Sequence, residues 1–281
     1  MDSTQLVAAS FDALGVENTS PLTTGGQKWV FGAELAGRQV VVKIVNLPDP
    51  PMRDVVLERA HREVELLAAV DSPFVVKVLS DAIEVGDPAE AVAWVEERLE
   101  GADLSASIGS GLWSEAEVFG LLSDVGHALE ACHNLEVVHR DLSPGNVRLL
   151  PSGRFVLMDP GYAKHLRLIG ITGVFQPGTT GYRSPEHVAG GDPSAASDIF
   201  CLGILAFISL TGQFPIDPSG TDAEYDRRLR HTQASAVIAA APTTSQDLAQ
   251  IIDTCLSRQP ARRYLDGAEL LEALAKIGKI R

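Results

Sequence analysis

The chain has little cysteine: across 281 residues it carries three, Cys132, Cys201 and Cys255, far apart and in apolar helical contexts. Neither a disulfide framework nor a zinc site can be built from them, so a reducing, cytoplasmic setting is expected. Long hydrophobic runs are also missing. The longest, Ile199 to Leu210, is too short to span a bilayer and reads as a buried helix. The N-terminus lacks the basic-then-apolar order of a signal peptide. Positive charge is scarce, with 23 Lys and Arg against 37 Asp and Glu and a formal net charge of −14. Nucleic-acid backbones and anionic membranes would both repel such a chain, so neither is expected as a partner, whereas basic protein substrates are compatible. Internal repeats and long low-complexity linkers are absent.

What is present divides by period. Lys28 to Val45 reads as a hairpin about Ala36-Gly37, Asp54 to Val70 has helical spacing, and Phe74 to Glu97 returns to strand-like runs. From Ser114 onward helical periodicity dominates, most clearly in Glu115 to Asn134, Ser197 to Thr211, Ser245 to Ser257 and Gly267 to Ile277. The fold class is therefore α+β: a small β-rich unit with one main helix over residues 1–98, then a larger, mainly helical unit over 99–281. A cleft at the boundary, near Glu97 to Leu104, is the default place for a ligand.

The most informative stretch is His139-Arg140-Asp141-Leu142-Ser143-Pro144-Gly145-Asn146, followed after one short hairpin by Asp159-Pro160-Gly161. The intervening residues read as two apolar strands, Val147 to Leu150 and Arg154 to Met158, about Pro151-Ser152-Gly153. Folding between 152 and 153 would set residue 146 opposite 159. An amide oxygen and a carboxylate so paired suit Mg²⁺, which takes hard oxygen ligands and keeps phosphates and waters in its other positions.

This order of residues resembles the H-R-D-x-x-x-x-N and D-F-G motifs of the eukaryotic-type (Hanks-type) serine/threonine protein kinases, in a soluble, single-domain, bacterial-like form. The resemblance implies the bilobal protein-kinase fold, ATP as cosubstrate, and Mg²⁺ with Mn²⁺ as a substitute. It gives Asp141 the task of orienting or accepting the proton of the substrate hydroxyl, Asn146 a second Mg²⁺, and Asp159 the Mg²⁺ that bridges to the nucleotide phosphates. In the small lobe, Lys43 lies opposite Val30 in the hairpin, beneath a phosphate loop containing Thr23, Gly25 and Lys28. The following helix carries Val56, Ala60, Glu63, Leu67 and Val70 on one stripe with Glu63 as its only charge, while Glu65 points roughly 200° away at about 100° per residue. A carboxylate on a packed face is costly unless paired, so a Lys43–Glu63 pair is predicted, the alternative being two unrelated charges. The resemblance also implies that Val30 packs on adenine, that Glu97 and Leu99 form the hinge, and that Asp103 approaches the ribose.

Gly178-Thr179-Thr180-Gly181-Tyr182-Arg183-Ser184-Pro185-Glu186 resembles the end of a kinase activation segment. By that resemblance Glu186 pairs with Arg263, Asp198 braces the catalytic loop from the buried helix, and Thr179 hydrogen-bonds Asp141. Arg140 would dock an anion, and Thr172, the only hydroxyl between Ala163 and Gly178, is the expected autophosphorylation site. Four departures stand out: Pro160 for the usual Phe, a glycine-rich loop reduced to Gly25, Ser143 for a lysine, and Glu96 at an ordinarily apolar gatekeeper position. Lys28 is a candidate to restore the charge missing at Ser143. The function expected is γ-phosphate transfer to Ser/Thr hydroxyls of protein substrates, the chain itself included, under a regulatory partner or self-activation. A nucleotide-binding pseudokinase scaffold and a small-molecule phosphotransferase are the alternatives.

Overall fold

The computed structural model describes residues 2–25, 28–108, 111–159 and 181–278, with residues 23–25, 59 and 63 described by backbone alone. The described residues form two compact units, one holding the chain up to Asp71 together with Val76–Leu99, the other Ser72–Val75 and the chain from Glu100 onward. No helix among them is long and apolar enough to cross a membrane.

The smaller unit is built on an antiparallel sheet of β1 (Glu17–Gly25), β2 (Lys28–Leu35), β3 (Arg38–Asn46), β4 (Ile83–Val85) and β5 (Ala91–Glu97), in the order β1-β2-β3-β5-β4. Ala36 and Gly37, at φ 49° and 79°, make the two-residue mirror-type turn whose twist suits a hairpin. That turn pairs Leu35 with Arg38 and so sets Val30 opposite Lys43. Alternation gives the sheet two apolar faces. Val40, Val42, Ile44, Ala91, Ala93 and Val95 lie on one, with Leu6 of α1 (Ser3–Leu14) packed against them. Val45, Val92 and Trp94 lie on the other, with Val56, Ala60 and Val64 of α2 (Arg53–Ala69).

Helix α1 is an addition to the one main helix that the sequence pattern indicates. Its apolar period is weak because only Leu6 and Ser10 are fully buried, but its start is encoded locally. The Gln5 backbone N–H donates to Asp2 Oδ1 at 2.9 Å and the Asp2 N–H donates to Gln5 Oε1 at 3.1 Å, a reciprocal cap.

The larger unit packs α3 (Glu115–His133) on a small sheet of β6 (Ala102–Asp103), β7 (Val147–Leu149) and β8 (Phe155–Leu157). It continues through α4 (Pro185–Val188), α5 (Ala195–Thr211), α6 (Asp222–His231), α7 (Val237–Ala240), α8 (Gln246–Cys255) and α9 (Gly267–Gly278). The longest apolar run of the sequence is α5, buried from Ala196 to Thr211. Gly203 permits this packing, since a Cβ there would lie 2.7 Å from Cys255 Cβ.

The β7–β8 hairpin corrects one expectation. Val147 pairs with Leu157, and the Met158 N–H donates to the Asn146 carbonyl, so residue 146 faces 158 and not 159. The loop has three residues between the Leu150–Arg154 pair, closed by Gly153 at φ 84°, and an odd loop shifts the register by one.

Candidate active site

The segment from His139 to Pro144 has no ladder to satisfy its backbone, and a buried carboxylate from α5 does so instead. Asp198, 1% exposed, accepts the His139 N–H on Oδ2 at 2.7 Å and the Arg140 N–H on Oδ1 at 2.8 Å. His133 adds a third contact, Nε2 to Asp198 Oδ2 at 3.1 Å. Because His133 Nδ1 accepts the Gly267 N–H, its proton sits on Nε2, the nitrogen that faces the carboxylate. His139 is arranged likewise: Nδ1 accepts the Asp141 N–H and Nε2 donates to the Met158 carbonyl, which ties the loop to the end of β8.

Asn146 closes the same loop. Its Nδ2 donates to the Asp141 carbonyl at 2.8 Å, while its own carbonyl accepts from Met158. Arg140 and Asp159 stand at either end of this arrangement in left-handed backbone, φ 66° and 48°, a conformation that costs a non-glycine residue on the order of 1–3 kcal/mol. Asp141, Asn146 and Asp159 are thus carried by one hydrogen-bonded assembly of the larger unit. With the amide nitrogen of Asn146 committed, its Oδ1 is the group left to face a cation. Among the described residues no set of three or more His, Cys, Asp or Glu could hold a metal ion. One amide oxygen and one carboxylate fit Mg²⁺ only when phosphates and waters complete the shell.

The segment after Gly181 is anchored twice. Glu186 meets Arg263 through a two-point fork, Nη1 to Oε1 and Nη2 to Oε2, both 2.8 Å, and Ser197 Oγ donates to Oε1 at 2.6 Å. Burial alone would raise the Glu186 carboxyl, but Arg263 and Ser197 outweigh it and hold the group below its ordinary value. The second anchor is Arg183, which the sequence pattern does not single out. Its guanidinium, 1% exposed, contacts Asp226 at 2.8 Å and Asp222 at 3.2 Å on α6 and lies 5.8 Å from the centre of the Tyr225 ring. Two aspartates at i, i+4 on a short helix are the available signal.

In the smaller unit, Lys43 is 4% exposed on β3 and forms an ion pair with Glu96 of β5. The acid at the gatekeeper position therefore faces inward with Lys43. Trp94 Nε1 donates to the other carboxylate oxygen at 2.8 Å. Glu63 lies on α2, and its side chain is outside the described residues. Thr23 and Gly25 end β1, where Gly25 pairs with Lys28, and alternation along β2 puts Lys28 and Val30 on one face. Glu97 commits its backbone N–H to the Lys77 carbonyl and its Oε1 to the Lys77 N–H, both at 2.9 Å, and Leu99 follows two residues beyond. Asp103, in the other unit, caps a short 3₁₀ turn by accepting the Ser105 N–H at 2.9 Å. Pro160, Thr172 and Thr179 lie outside the described residues.

Comparison with known proteins supplies the family. The chain is 30% identical over 274 residues to the serine/threonine-protein kinase pkn2 of Myxococcus xanthus, an alignment covering 91% of this chain and 31% of that protein. It is 26% identical over 264 residues to the serine/threonine-protein kinase PknA of Mycobacterium tuberculosis, covering 91% and 59% respectively. The chain thus spans less than two thirds of the length of these relatives. The crystal structure of the Mycobacterium tuberculosis PknI kinase domain has a similar fold, with a TM-score of 0.65 at 23% identity over 91% of this chain and 93% of that one. The family model described as the protein kinase domain matches residues 22–272, and the chain belongs to that family.

Proposed function

We propose that the chain is an ATP-dependent serine/threonine protein kinase that acts in the cytoplasm on protein hydroxyls, its own among them. The observation that carries this reading is the clamp of Asp198 on the His139 and Arg140 amides, joined to the Asn146 hold on the Asp141 carbonyl. Together they fix the backbone on both sides of Asp141, so its carboxylate can meet a substrate hydroxyl without reorganisation. Lys43 would contact the nucleotide phosphates as a fixed cation. Asn146 and Asp159 would hold Mg²⁺, or Mn²⁺ in its place, which when bound neutralises charge on the phosphate oxygens. Arg140 would receive the phosphate of a modified Thr172, and a regulatory partner or self-phosphorylation would supply control.

The test is transfer of radiolabel from ATP to a generic basic protein and to the chain itself, beside an Asp141→Ala control. Label on Ser and Thr in the wild type only is the expected result. Nucleotide binding without transfer would favour a scaffold, and label on small molecules alone would favour the other alternative.

A further inference from the structure

The family resemblance looks to helix α2 for the counter-ion of Lys43, but the sheet carries one itself. Val92, Trp94 and Glu96 alternate onto one face of β5, where Val92 and Trp94 pack against α2. The β3–β5 register sets Lys43 opposite Trp94 and Val41 opposite Glu96, which makes Lys43 and Glu96 diagonal neighbours on adjacent strands. Their side chains are 6% and 4% exposed and joined as an ion pair. Trp94, 2% exposed and packed among Val45, Val56, Ala60 and Val64, holds the second oxygen of the carboxylate. Glu96 therefore has a cation on one oxygen and a fixed neutral donor on the other. A buried carboxylate is costly without its cation, so loss of either partner alone leaves the other charge uncompensated.

We propose that Glu96 is the positioning residue that holds Lys43 for the nucleotide phosphates, a task carried by the sheet. The distance between the two side chains is set by backbone ladder bonds of β3 and β5. A carboxylate on α2, by contrast, reaches Lys43 only as well as the helix is docked. The inference rests on the kinase reading for what Lys43 does, but not for how it is held.

Glu96→Gln preserves the shape and the Trp94 bond while removing the charge; Glu63→Gln does the same to α2. Both are measured in the full chain for kcat/KM toward ATP, for KM toward the protein substrate, and for Tm. Glu96→Gln should lower kcat/KM for ATP at least about tenfold and by at least about fivefold more than Glu63→Gln, with KM for the protein substrate within about twofold. A second arm needs no turnover. Without nucleotide at pH 8, acylation of Lys43 by an amine-reactive succinimidyl ester, read by mass spectrometry, should be at least about fivefold faster in Glu96→Gln than in Glu63→Gln. An ammonium that has lost its counter-ion releases its proton more readily. If Glu96→Gln fails to fold, Glu96→Asp, which keeps the charge and retracts it by one methylene, should still lower kcat/KM for ATP at least about threefold. Equal or larger effects of Glu63→Gln in either arm would overturn the proposal, as would an unchanged Glu96→Asp. A wild type that neither binds nor hydrolyses ATP would refute the kinase reading, and the labelling arm would still judge Glu96.

Discussion

Each unit buries an ion pair, and the two differ in the geometry of the cation. In the larger unit, Arg263 spends all five N–H groups on the fold: two on Glu186 and one each on the carbonyls of Ser257, Ala196 and Arg258. Its guanidinium also lies 4.6 Å from the centre of the Phe200 ring. In the smaller unit, Lys43 is a compact charge on a flexible stem whose three donors rotate together, and it is paired with a carboxylate on the neighbouring strand. A planar fork with every donor matched is a strut. A rotatable ammonium held by a strand-borne carboxylate suits the proposed role of a functional charge kept in position.

The largest effect that probes this contrast is catalytic. Asp141→Asn should lower turnover about 10³-fold while leaving Tm within about 2 °C, because the Asp198 and Asn146 contacts that hold the loop use backbone groups and survive the change. A matching fall in Tm would make Asp141 part of the scaffold.

Replacing both partners of each pair separates strut from functional charge. Arg263→Met with Glu186→Met removes one donor from each of three carbonyls and the acceptor of the Ser197 hydroxyl, and should cost about 3 kcal/mol in urea unfolding. Lys43→Met with Glu96→Met replaces a buried pair by apolar groups of similar size, orphans the Trp94 N–H, and should cost about 1 kcal/mol while abolishing tight ATP binding. Equal losses of stability would erase the distinction.

A smaller effect concerns pH. The Glu186 carboxyl is held below its ordinary value of 4.5, so its stabilising contribution is fully present above that pH and is lost as pH falls through the lower folded-state value. The stability gap between wild type and Glu186→Gln, measured at pH 7 and again at pH 3, should therefore narrow on acidification. Smallest is the response of the thiols. Burial pushes Cys132 and Cys255 up to about 12, so neither should react with a thiol reagent at pH 8 faster than the unit opens, as timed by labelling against denaturant.

Much of the scaffold is legible in the residues, because it is encoded locally. The Ala36-Gly37 turn admits one register and thereby places Lys43 opposite Val30. The run from Ile199 to Leu210 has too few polar residues to face water and forms most of α5. Where two local readings compete, the pattern misleads: an apolar hairpin about Pro151-Ser152-Gly153 can close on an even or an odd loop, and the left-handed Gly153 selects the odd one. Helix α1 is hard to read for the opposite reason, since its caps are explicit but its apolar stripe is thin.

The sequence by itself determined the order of the residues in the proposed site, from Lys43 through Asp141 and Asn146 to Asp159, and the strands and helices that carry them, because turns, caps and periodicity act over a few residues. Only the tertiary structure decided which charge meets which. Glu96 reaches Lys43 from 53 positions away, Arg183 reaches Asp226 from 43, and Asp198 reaches the Arg140 amide from 58. A charged side chain on a strand or helix has many partners of opposite sign in the sequence. Burial removes water as the alternative, so the register and the packing that bring two of them together settle the choice.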